Sequence, residues 1–300
     1  MKKDILTRLH LKKAKPSIEH SDVNTVPLPE NQLEGLSLEV PHIEPQQLIY
    51  GCAQSIGKQR DHNEDCVFAL SIAIGGEKSS YPLGLYVVAD GMGGHQYGEV
   101  ASSAAARTLA GNILKRFLPY LINPASGMDE SIQELMRSAI NDAQKAVTLA
   151  APGSGTTLTA ALVLGQQMTI GHVGDSRAYA LHPYGGGETL TRDHSLVKRL
   201  EELGQISAEE AAVHPQRNVL YRALGQGEVL EPDIFTAPFP QSGYLLLCSD
   251  GLWSVLTDST IFKLVNSSKD LQGACQSLVD AANEAGGPDN ISVILAQLKT

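Results

Sequence analysis

The sequence lacks the features that mark several classes of protein. It contains only four cysteines, Cys52, Cys66, Cys248 and Cys275, and none of them belongs to a Cys-x-x-Cys pair. That spacing excludes a zinc ribbon or a redox dithiol and favours a reduced, cytoplasmic compartment. No apolar run reaches the roughly 18 residues of a membrane span, so no transmembrane segment is predicted.

Basic residues are outnumbered by acidic ones. The net charge is −10, from 23 basic and 33 acidic residues, which argues against a nucleic-acid binder because such proteins carry a basic surface. The acidic balance fits a carboxylate-lined metal site as well as ordinary solubility. The first residues, MKKDILTRLHLKKAKP, are basic but contain no continuous apolar segment, so they do not predict a secretory signal.

Two regions of different composition divide the chain. Residues 1–16 are basic, and residues 17–45 are acidic with four prolines. The whole of 1–45 lacks sustained periodicity, which predicts a flexible or loosely docked extension. Ile5, Leu6 and Leu9 also allow a short amphipathic helix that would dock on a membrane surface or a partner. Residues 46–300 are predicted to form one folded domain.

The folded region alternates short β-branched runs with helical patterns. GLYVVAD, TTLTAALVL, MTIGHVGDSRAYAL, GYLLLCSD and NISVILAQL are typical of strands, and their hairpin-like arrangement favours antiparallel pairing. Helices are predicted over 99–121, 129–147, 259–266 and 270–285. A polar helical insertion at about 191–236 has the position expected of a lid or flap. The pattern predicts a layered α+β domain.

A glycine-rich loop, LYVVADGMGGHQYGEVAS at 85–102, raises the possibility of a nucleotide site. The GxGxxG spacing fails, because Gln96 stands where the third glycine belongs. The segment GCAQSIGKQ at 51–59 has one residue too many for a P-loop and ends on Gln59 rather than Ser or Thr. Both nucleotide interpretations therefore fail on spacing.

Acidic residues at the ends of strands are more informative. Asp90 and Asp250 each follow an apolar strand and precede a glycine, Asp175 follows TIGHVG, and Asp289 precedes ISVILAQL. Glu64 and Asp65 close the segment RDHNED. Any one Asp-Gly pair is adequately explained as a turn. Several carboxylates converging on one place would repel each other, and a hard divalent cation such as Mg²⁺ or Mn²⁺ removes that conflict.

Seven segments of the chain, taken in order, resemble the metal-dependent protein phosphatases, that is, the type 2C serine/threonine phosphatases. They are RDHNED, VVADGMGGH, SGTTLTAALV, HVGDSRAY, LTRDHSL, CSDGLW and GGPDNISVIL. The segment LGQISAEEAAVHPQRNVLYRALG is similar to the bacterial branch. The resemblance covers roughly residues 48–298. It implies a four-layer α-β-β-α sandwich of two antiparallel sheets flanked by helices, with a binuclear Mn²⁺ or Mg²⁺ site at one end.

The resemblance also implies a role for each matching residue. Asp90 corresponds to the acid that bridges both ions, with the Gly91 carbonyl contributing to one of them. Asp250 and Asp289 match the remaining ligands of the first ion, Asp175 matches a ligand of a weaker third ion, and Glu64 matches a second-ion ligand found in some members. Asp65 matches the acid that hydrogen-bonds metal-bound water, and Arg60 matches the clamp on the substrate phosphate.

The expected reaction is the hydrolysis of phosphoserine and phosphothreonine by a metal-activated water. No phosphoenzyme is expected, because the chain lacks a Cys-x₅-Arg loop and an Asp-x-Asp nucleophile motif. Eukaryotic relatives often place a histidine after the Asp-Gly pair, but this chain has Met92 there. His95 and His62 are the remaining candidate acids, each more readily explained by a loop, packing or solvent role.

Three functions remain open from the sequence. The leading one is an active phosphatase, expected to be a monomer, that acts on phosphorylated proteins. Its expected partners are a bacterial-type serine/threonine kinase, which it would oppose, and the targets of that kinase. The second is a catalytically dead relative that binds phosphoproteins. The third is a phosphatase dedicated to one regulatory partner. The intact acids and Arg60 count against the second.

Overall fold

The computed structural model describes residues 46–76, 79–93, 97–123, 130–183, 186–227 and 230–299. The extension predicted for residues 1–45 lies outside the described residues. The fold is therefore presented from Gln46 onward.

Eleven strands within the described residues form two sheets in which every named strand pairing is antiparallel. The first sheet has the order β1-β11-β10-β7-β8, with bounds Gln47–Ser55, Ile291–Lys299, Tyr244–Cys248, Arg177–Leu181 and Gly187–Thr189. The second has the order β2-β3-β5-β6-β9, with bounds Asp65–Gly76, Ser79–Met92, Leu158–Leu164, Gln167–Val173 and Asp233–Pro238; β4 (Gly155–Thr156) pairs with the end of β3. The antiparallel pairing predicted from the sequence is confirmed.

The central strands are apolar on both faces because both faces are covered. In β5, six consecutive residues from Leu158 to Val163 are buried, whereas β9, at the edge of the same sheet, shows no buried residue. A strand buried on both sides gives a continuous apolar run rather than an alternating one. The run TTLTAALVL therefore reflects a layer on each side of its sheet.

Helices supply those outer layers. The described helices are α1 (Gly98–Ile122), α2 (Ile132–Ala150), α3 (Leu196–Glu202), α4 (Ala208–Ala212), α5 (Asp250–Trp253), α6 (Asp258–Ser267) and α7 (Leu271–Glu284). Ser131 caps α2 in a reciprocal arrangement with Glu134, and Ser207 caps α4 in the same way with Glu210. Each of these reciprocal pairs, called a capping box, accepts hydrogen bonds from main-chain N–H groups that have no partner within the first turn of the helix. None of the helices in the described ranges has the length and apolar character needed to cross a bilayer.

Three apolar clusters separate four layers. One lies between α1–α2 and the second sheet, one lies between the first sheet and α5–α7, and the third lies between the two sheets. The third is built from inward-facing residues of both sheets, including Val88, Ile170, Leu247 and Ile294. The predicted α-β-β-α sandwich is therefore confirmed.

The insertion between β8 and β9 carries the two short helices α3 and α4. It is fastened near its root by a bridge between Ser195 and Leu220, and the Ser195 hydroxyl caps α3. Its far boundary differs from the expected 236, because β9 already begins at Asp233. We refer to residues 191–232 as the flap.

Removing apolar bulk between the sheets should destabilise the whole domain. Leu247→Ala replaces a side chain that is fully buried, and the cavity is expected to lower the free energy of unfolding by about 2–5 kcal/mol. Leu149→Ala removes the same atoms from a residue on α2 that is 82% exposed, so its change should stay within about 0.5 kcal/mol. Urea denaturation of both variants measures the difference. Equal losses would contradict an inter-sheet core at Leu247.

Candidate active site

The strand ends that the sequence marks with acids meet at one end of the sandwich. Asp65 begins β2 and lies directly opposite Asp90, near the end of β3. Asp250 follows β10, and Asp289 precedes β11, which pairs with β10. Asp175 lies in the turn between β6 and β7. Antiparallel pairing therefore brings together acids that are up to 224 positions apart in the sequence, from Asp65 to Asp289.

The main chain around Asp90 is held by the segment that precedes β5. The Asp90 amide donates to Thr157 Oγ1 at 2.9 Å, and the Asp90 carbonyl accepts from the Thr157 amide and from Thr156 Oγ1, both at 2.9 Å. These contacts pack the SGTT segment beside the acidic loop. They fix the direction in which the Asp90 side chain leaves the strand.

Gly91 is required by close packing of the main chain. A Cβ at this position would lie 2.2 Å from the Gly98 carbonyl oxygen and 2.5 Å from the Glu64 carbonyl oxygen. Both atoms belong to the backbone and have no freedom to move aside. The start of α1 and the loop before β2 therefore close on Gly91, and no other residue fits there.

Two carboxylate oxygens in this group have no hydrogen-bond partner. Asp65 Oδ2 accepts from Ser249 Oγ at 2.8 Å, but Asp65 Oδ1 and Asp250 Oδ1 are buried and unpartnered. A buried polar atom without a partner costs about 1–3 kcal/mol, more when it is charged. Such atoms mark a place where something other than the protein completes the site.

The pKa values of these carboxyl groups show that burial disfavours their charged form. Loss of hydration raises the pKa of Asp65 to about 7 and the pKa of Asp250 to about 6. The same cause, together with the charges of neighbouring acids, raises the pKa values of Asp90 and Asp175 well above the usual range. Asp90 is affected by the charges of all the other acids of the group, so each ionised carboxylate disfavours ionisation of its neighbours.

The loop that carries Arg60 is shaped by Asn290. Asn290 Oδ1 accepts from the Glu64 amide at 2.8 Å, and its Nδ2 donates to the carbonyls of Ile56 and His62, each at 2.9 Å. Asn290 is buried and uses all of these groups at once. The sequence did not predict this role, because an asparagine beside an aspartate is equally typical of an ordinary turn.

Arg60 lies beside the acids and on a large cavity. Its guanidinium donates to Asp289 Oδ2 at 2.7 Å, and the side chain is 45% exposed. A cavity of about 720 Å³ extends from the acids to the flap, lined by Arg60, Asp175, Asp250, Asp289 and, on the flap, Lys198 and Arg217. The acids thus open onto a space large enough for a peptide side chain and its neighbours.

Trp253 packs against the apolar cluster between the first sheet and α5–α7. It is half-buried, lines the same cavity and donates its indole N–H to the Asp175 carbonyl at 3.0 Å. The Arg177 guanidinium lies 3.7 Å over the indole ring and pairs with Asp193 through two hydrogen bonds of 3.0 and 2.7 Å. The turn that holds Asp175 is therefore fixed from two sides.

The remaining predicted residues fall in different places. Glu64 is buried, but its carboxylate lies near His62 and Arg60. Met92 is paired with Gly155 and holds no proton to donate. His95 lies outside the described residues. His172 is fully buried and hydrogen-bonds to Thr159 and the Arg192 carbonyl, so its predicted role as a satisfied core histidine is confirmed.

The sequence model of the family "Protein phosphatase 2C" matches residues 52–291, which is most of the chain. The chain belongs to the protein phosphatase 2C family. It is accordingly a protein serine/threonine phosphatase of the bacterial type, and the resemblance seen in the sequence is confirmed.

Bacterial members of the protein phosphatase 2C family align over nearly their whole length. The serine/threonine phosphatase stp of Listeria monocytogenes is 38% identical over 247 residues, covering 80% of this chain and 92% of that protein. Protein phosphatase PhpP of Streptococcus pneumoniae is 34% identical over 246 residues, covering 81% and 94%.

Solved structures of the family share the architecture. The Mycobacterium tuberculosis serine/threonine phosphatase PstP/Ppp superposes with a TM-score of 0.71 at 33% identity, covering 85% of this chain and all of that one. A structure of the PstP catalytic domain in complex with two manganese ions gives a TM-score of 0.69 at 30% identity, with 85% and 100% coverage. The acidic end of the present sandwich therefore belongs to a fold that carries metal in a relative.

The metal-free protein is expected to become less stable as pH rises. The pKa of Asp65 is about 7 in the folded protein, above the 3.8 of the unfolded chain. The folded state therefore binds this proton more tightly, and the stabilisation is present below about pH 4 and lost as pH rises through about 7.

The comparison of wild type with Asp65→Asn isolates this effect, because asparagine does not titrate. In EDTA, the melting temperature of the wild type minus that of the variant should fall between about pH 5 and about pH 8. Thermal unfolding followed by circular dichroism provides the measurement. A difference that stays level or rises with pH would show that Asp65 is not raised in pKa.

Proposed function

We propose that Asp90, the Gly91 carbonyl, Asp250 and Asp289 hold two divalent cations and that Asp175 contributes to a weaker third. The observation that carries this assignment is the pair of buried, unpartnered oxygens, Asp65 Oδ1 and Asp250 Oδ1, within a group of desolvated acids. Cations neutralise the repulsion that otherwise keeps protons on these groups. The manganese ions of the PstP structure support the same number and kind of ion.

The donor set fits Mn²⁺ or Mg²⁺. Every proposed ligand is a carboxylate or carbonyl oxygen, the donor type that hard divalent cations prefer, and no cysteine is among them. When bound, the ions would activate a water nucleophile and offset negative charge on the phosphoryl group. The resemblance matches Glu64 to a ligand of the second ion, and that role stays a prediction.

Asp65 has a different task from the ligands. Its Oδ2 is occupied by the Ser249 hydroxyl, and that hydroxyl oxygen accepts from the Ser292 amide at 2.9 Å. The carboxyl plane is therefore fixed, and only Oδ1 is free. We infer that Oδ1 accepts a hydrogen bond from the attacking water and orients its lone pair toward phosphorus.

Arg60 is proposed to bind the substrate phosphate. One amino group of the guanidinium is engaged by Asp289, while the side chain reaches into the cavity. A planar guanidinium offers paired donors that match two phosphate oxygens. Arg60 would thus neutralise charge on the equatorial oxygens while Asp289 keeps the guanidinium oriented.

Phosphoryl transfer directly to water accounts for the residues present. Ser154, Thr156 and Thr157 are buried, and the two threonines are engaged in packing contacts beside Asp90, so none is offered as a covalent nucleophile. Met92 has no proton to give, so protonation of the departing serine or threonine oxygen falls to solvent. The substrates are proposed to be phosphorylated proteins.

The cellular setting follows from the same chemistry. A serine/threonine phosphatase opposes a kinase that modifies the same hydroxyl groups, so we propose a bacterial-type kinase and its targets as partners. The described cysteines, Cys52, Cys66, Cys248 and Cys275, are all free, which supports a reducing, cytoplasmic compartment. We propose that the enzyme acts as a monomer.

Loss of the bridging acid should abolish turnover. With Mn²⁺, the wild type is expected to hydrolyse a phosphothreonine peptide and p-nitrophenyl phosphate, and EDTA should stop both. Asp90→Asn and Asp250→Asn should lower kcat at least about a hundredfold, because each removes a charged ligand. Asp280→Asn, on the exposed face of α7, is the matched control. Turnover that survives EDTA or Asp90→Asn would refute the two-ion assignment.

Arg60→Ala should act mainly on phosphate binding. The inhibition constant for inorganic phosphate and the KM for the peptide are expected to rise about tenfold or more, in line with the loss of a charge-assisted hydrogen bond. Arg60→Lys should recover only part of the loss, because an ammonium group cannot pair with two oxygens. Arg137→Ala, exposed on α2, serves as the control. Unchanged phosphate inhibition in Arg60→Ala would remove Arg60 from the site.

Residues 1–45 are proposed to form an extension separate from the domain at 46–300. Their deletion should leave peptide hydrolysis and the melting temperature near the values of the full chain, since the catalytic acids all lie beyond Arg60. Selection among phosphoprotein partners is the property expected to change. A large fall in melting temperature on deletion would instead make the segment part of the fold.

A further inference from the structure

Glu64 is a buried carboxylate with two ion-pair partners, neither of which is in close contact. The residue is only 8% exposed, and within the described chain neither carboxylate oxygen accepts a hydrogen bond of normal length. The nearest cationic atoms are His62 Nε2, 3.5 Å from Oε1, and an Arg60 amino group, 4.0 Å from Oε2. Because good hydrogen bonds to carboxylates span about 2.7–2.9 Å, both contacts leave the carboxylate able to take a closer ligand.

Two further ligand groups face this carboxylate. His62, Glu64 and Glu99 each place a ligand atom so that all three lie within 4.8 Å of one another. His62 and Glu64 come from the loop before β2, and Glu99 comes from the first turn of α1. Bonds of about 2.0–2.2 Å to a shared ion place ligand atoms about 3–4 Å apart, so small side-chain movements close the group around one cation.

The histidine is oriented as a ligand is. His62 Nδ1 lies 2.6 Å from Asp61 Oδ1, and with the proton on Nδ1 the other nitrogen, Nε2, presents its lone pair toward Glu64 and Glu99. Metal-binding histidines regularly donate their second N–H to a carboxylate, which fixes the tautomer and raises the basicity of the ligand nitrogen. Asp61 supplies that carboxylate.

Glu64 is also held rigidly enough to anchor a site. Its amide donates to Asn290 Oδ1 at 2.8 Å, and its carbonyl accepts from Ser102 Oγ at 2.6 Å and from the Gly91 amide at 3.2 Å. The side chain packs so closely on Gly98 that a Cβ there would lie 2.4 Å from Glu64 Oε1. The backbone and this contact together hold Oε1 toward His62.

We propose that His62, Glu64 through Oε1, and Glu99 bind one divalent transition-metal ion at a site separate from the two-ion centre. One imidazole nitrogen and two carboxylates suit Mn²⁺, Fe²⁺ or Zn²⁺ better than Mg²⁺, whose preferred donors are all oxygen. Oε2, on the side of Arg60, remains available for the ligand role predicted for Glu64 at the centre. The ion joins the Arg60 loop to the start of α1.

The nitrogen donor gives this site a spectroscopic signature of its own. Electron spin echo modulation of bound Mn²⁺ detects a coordinated imidazole nitrogen, and the proposed ligands of the two-ion centre include no histidine. The full-length protein loaded with Mn²⁺ alone should therefore show nitrogen coupling. His62→Asn should remove that coupling, whereas His182→Asn, an exposed histidine in the loop after β7, should retain it.

Equilibrium dialysis against Mn²⁺ supplies a second, independent measurement. His62→Asn and Glu99→Gln should each bind one ion per chain fewer than the wild type, and Glu188→Gln, exposed in β8, should bind the same number. If the three side chains only pair with one another, with His62 charged, the ion count will be unchanged in both variants and the proposal is wrong. Absence of nitrogen coupling in the wild type would refute it equally, while hydrolysis that depends on Asp90 would still stand.

Discussion

Mutual repulsion among carboxyl groups that have lost their water is the constraint around which this end of the sandwich is arranged. Strand pairing brings Asp65 opposite Asp90, and the charge of Asp250 acts on both. Loss of hydration and neighbouring charge then raise the pKa values of Asp65, Asp90 and Asp250, with Asp175 affected in the same way. A fold that holds acids in this state without a cation sacrifices stability, so the backbone contacts around them must be strong enough to resist local opening.

Most of the architecture could be predicted from the sequence, because the buried strands and helix faces carry apolar residues at regular spacing. Runs such as LTAALVL predicted strands, and the helical pattern over 129–147 predicted α2, which the structure begins at Ile132. The flap boundary was misplaced by a few residues, because β9 at the sheet edge has no buried residue and gives a weak strand pattern. Edge strands carry the least burial and therefore the least sequence information.

The sequence predicted the acids of the site, but it did not predict the side chains that hold their loops in place. Asp90, Asp175, Asp250 and Asp289 stand beside strand ends in the sequence, but the hydrogen bonds of Asn290 to the Arg60 loop join segments more than 225 positions apart. Nothing in local composition distinguishes such an asparagine from one in an ordinary turn. The stacking of Arg177 on Trp253 joins residues 76 positions apart and is equally absent from the local sequence.

The pairing of Arg177 with Asp193 has a consequence for how the enzyme can diversify. Arg177 begins β7, two residues after Asp175, and Asp193 lies at the root of the flap. This ion pair attaches the start of the flap to the sandwich beside the acids. Residues from Leu196 onward follow that attachment in the chain. Substitutions in the outer flap can therefore alter one wall of the cavity without loosening the turn that holds Asp175.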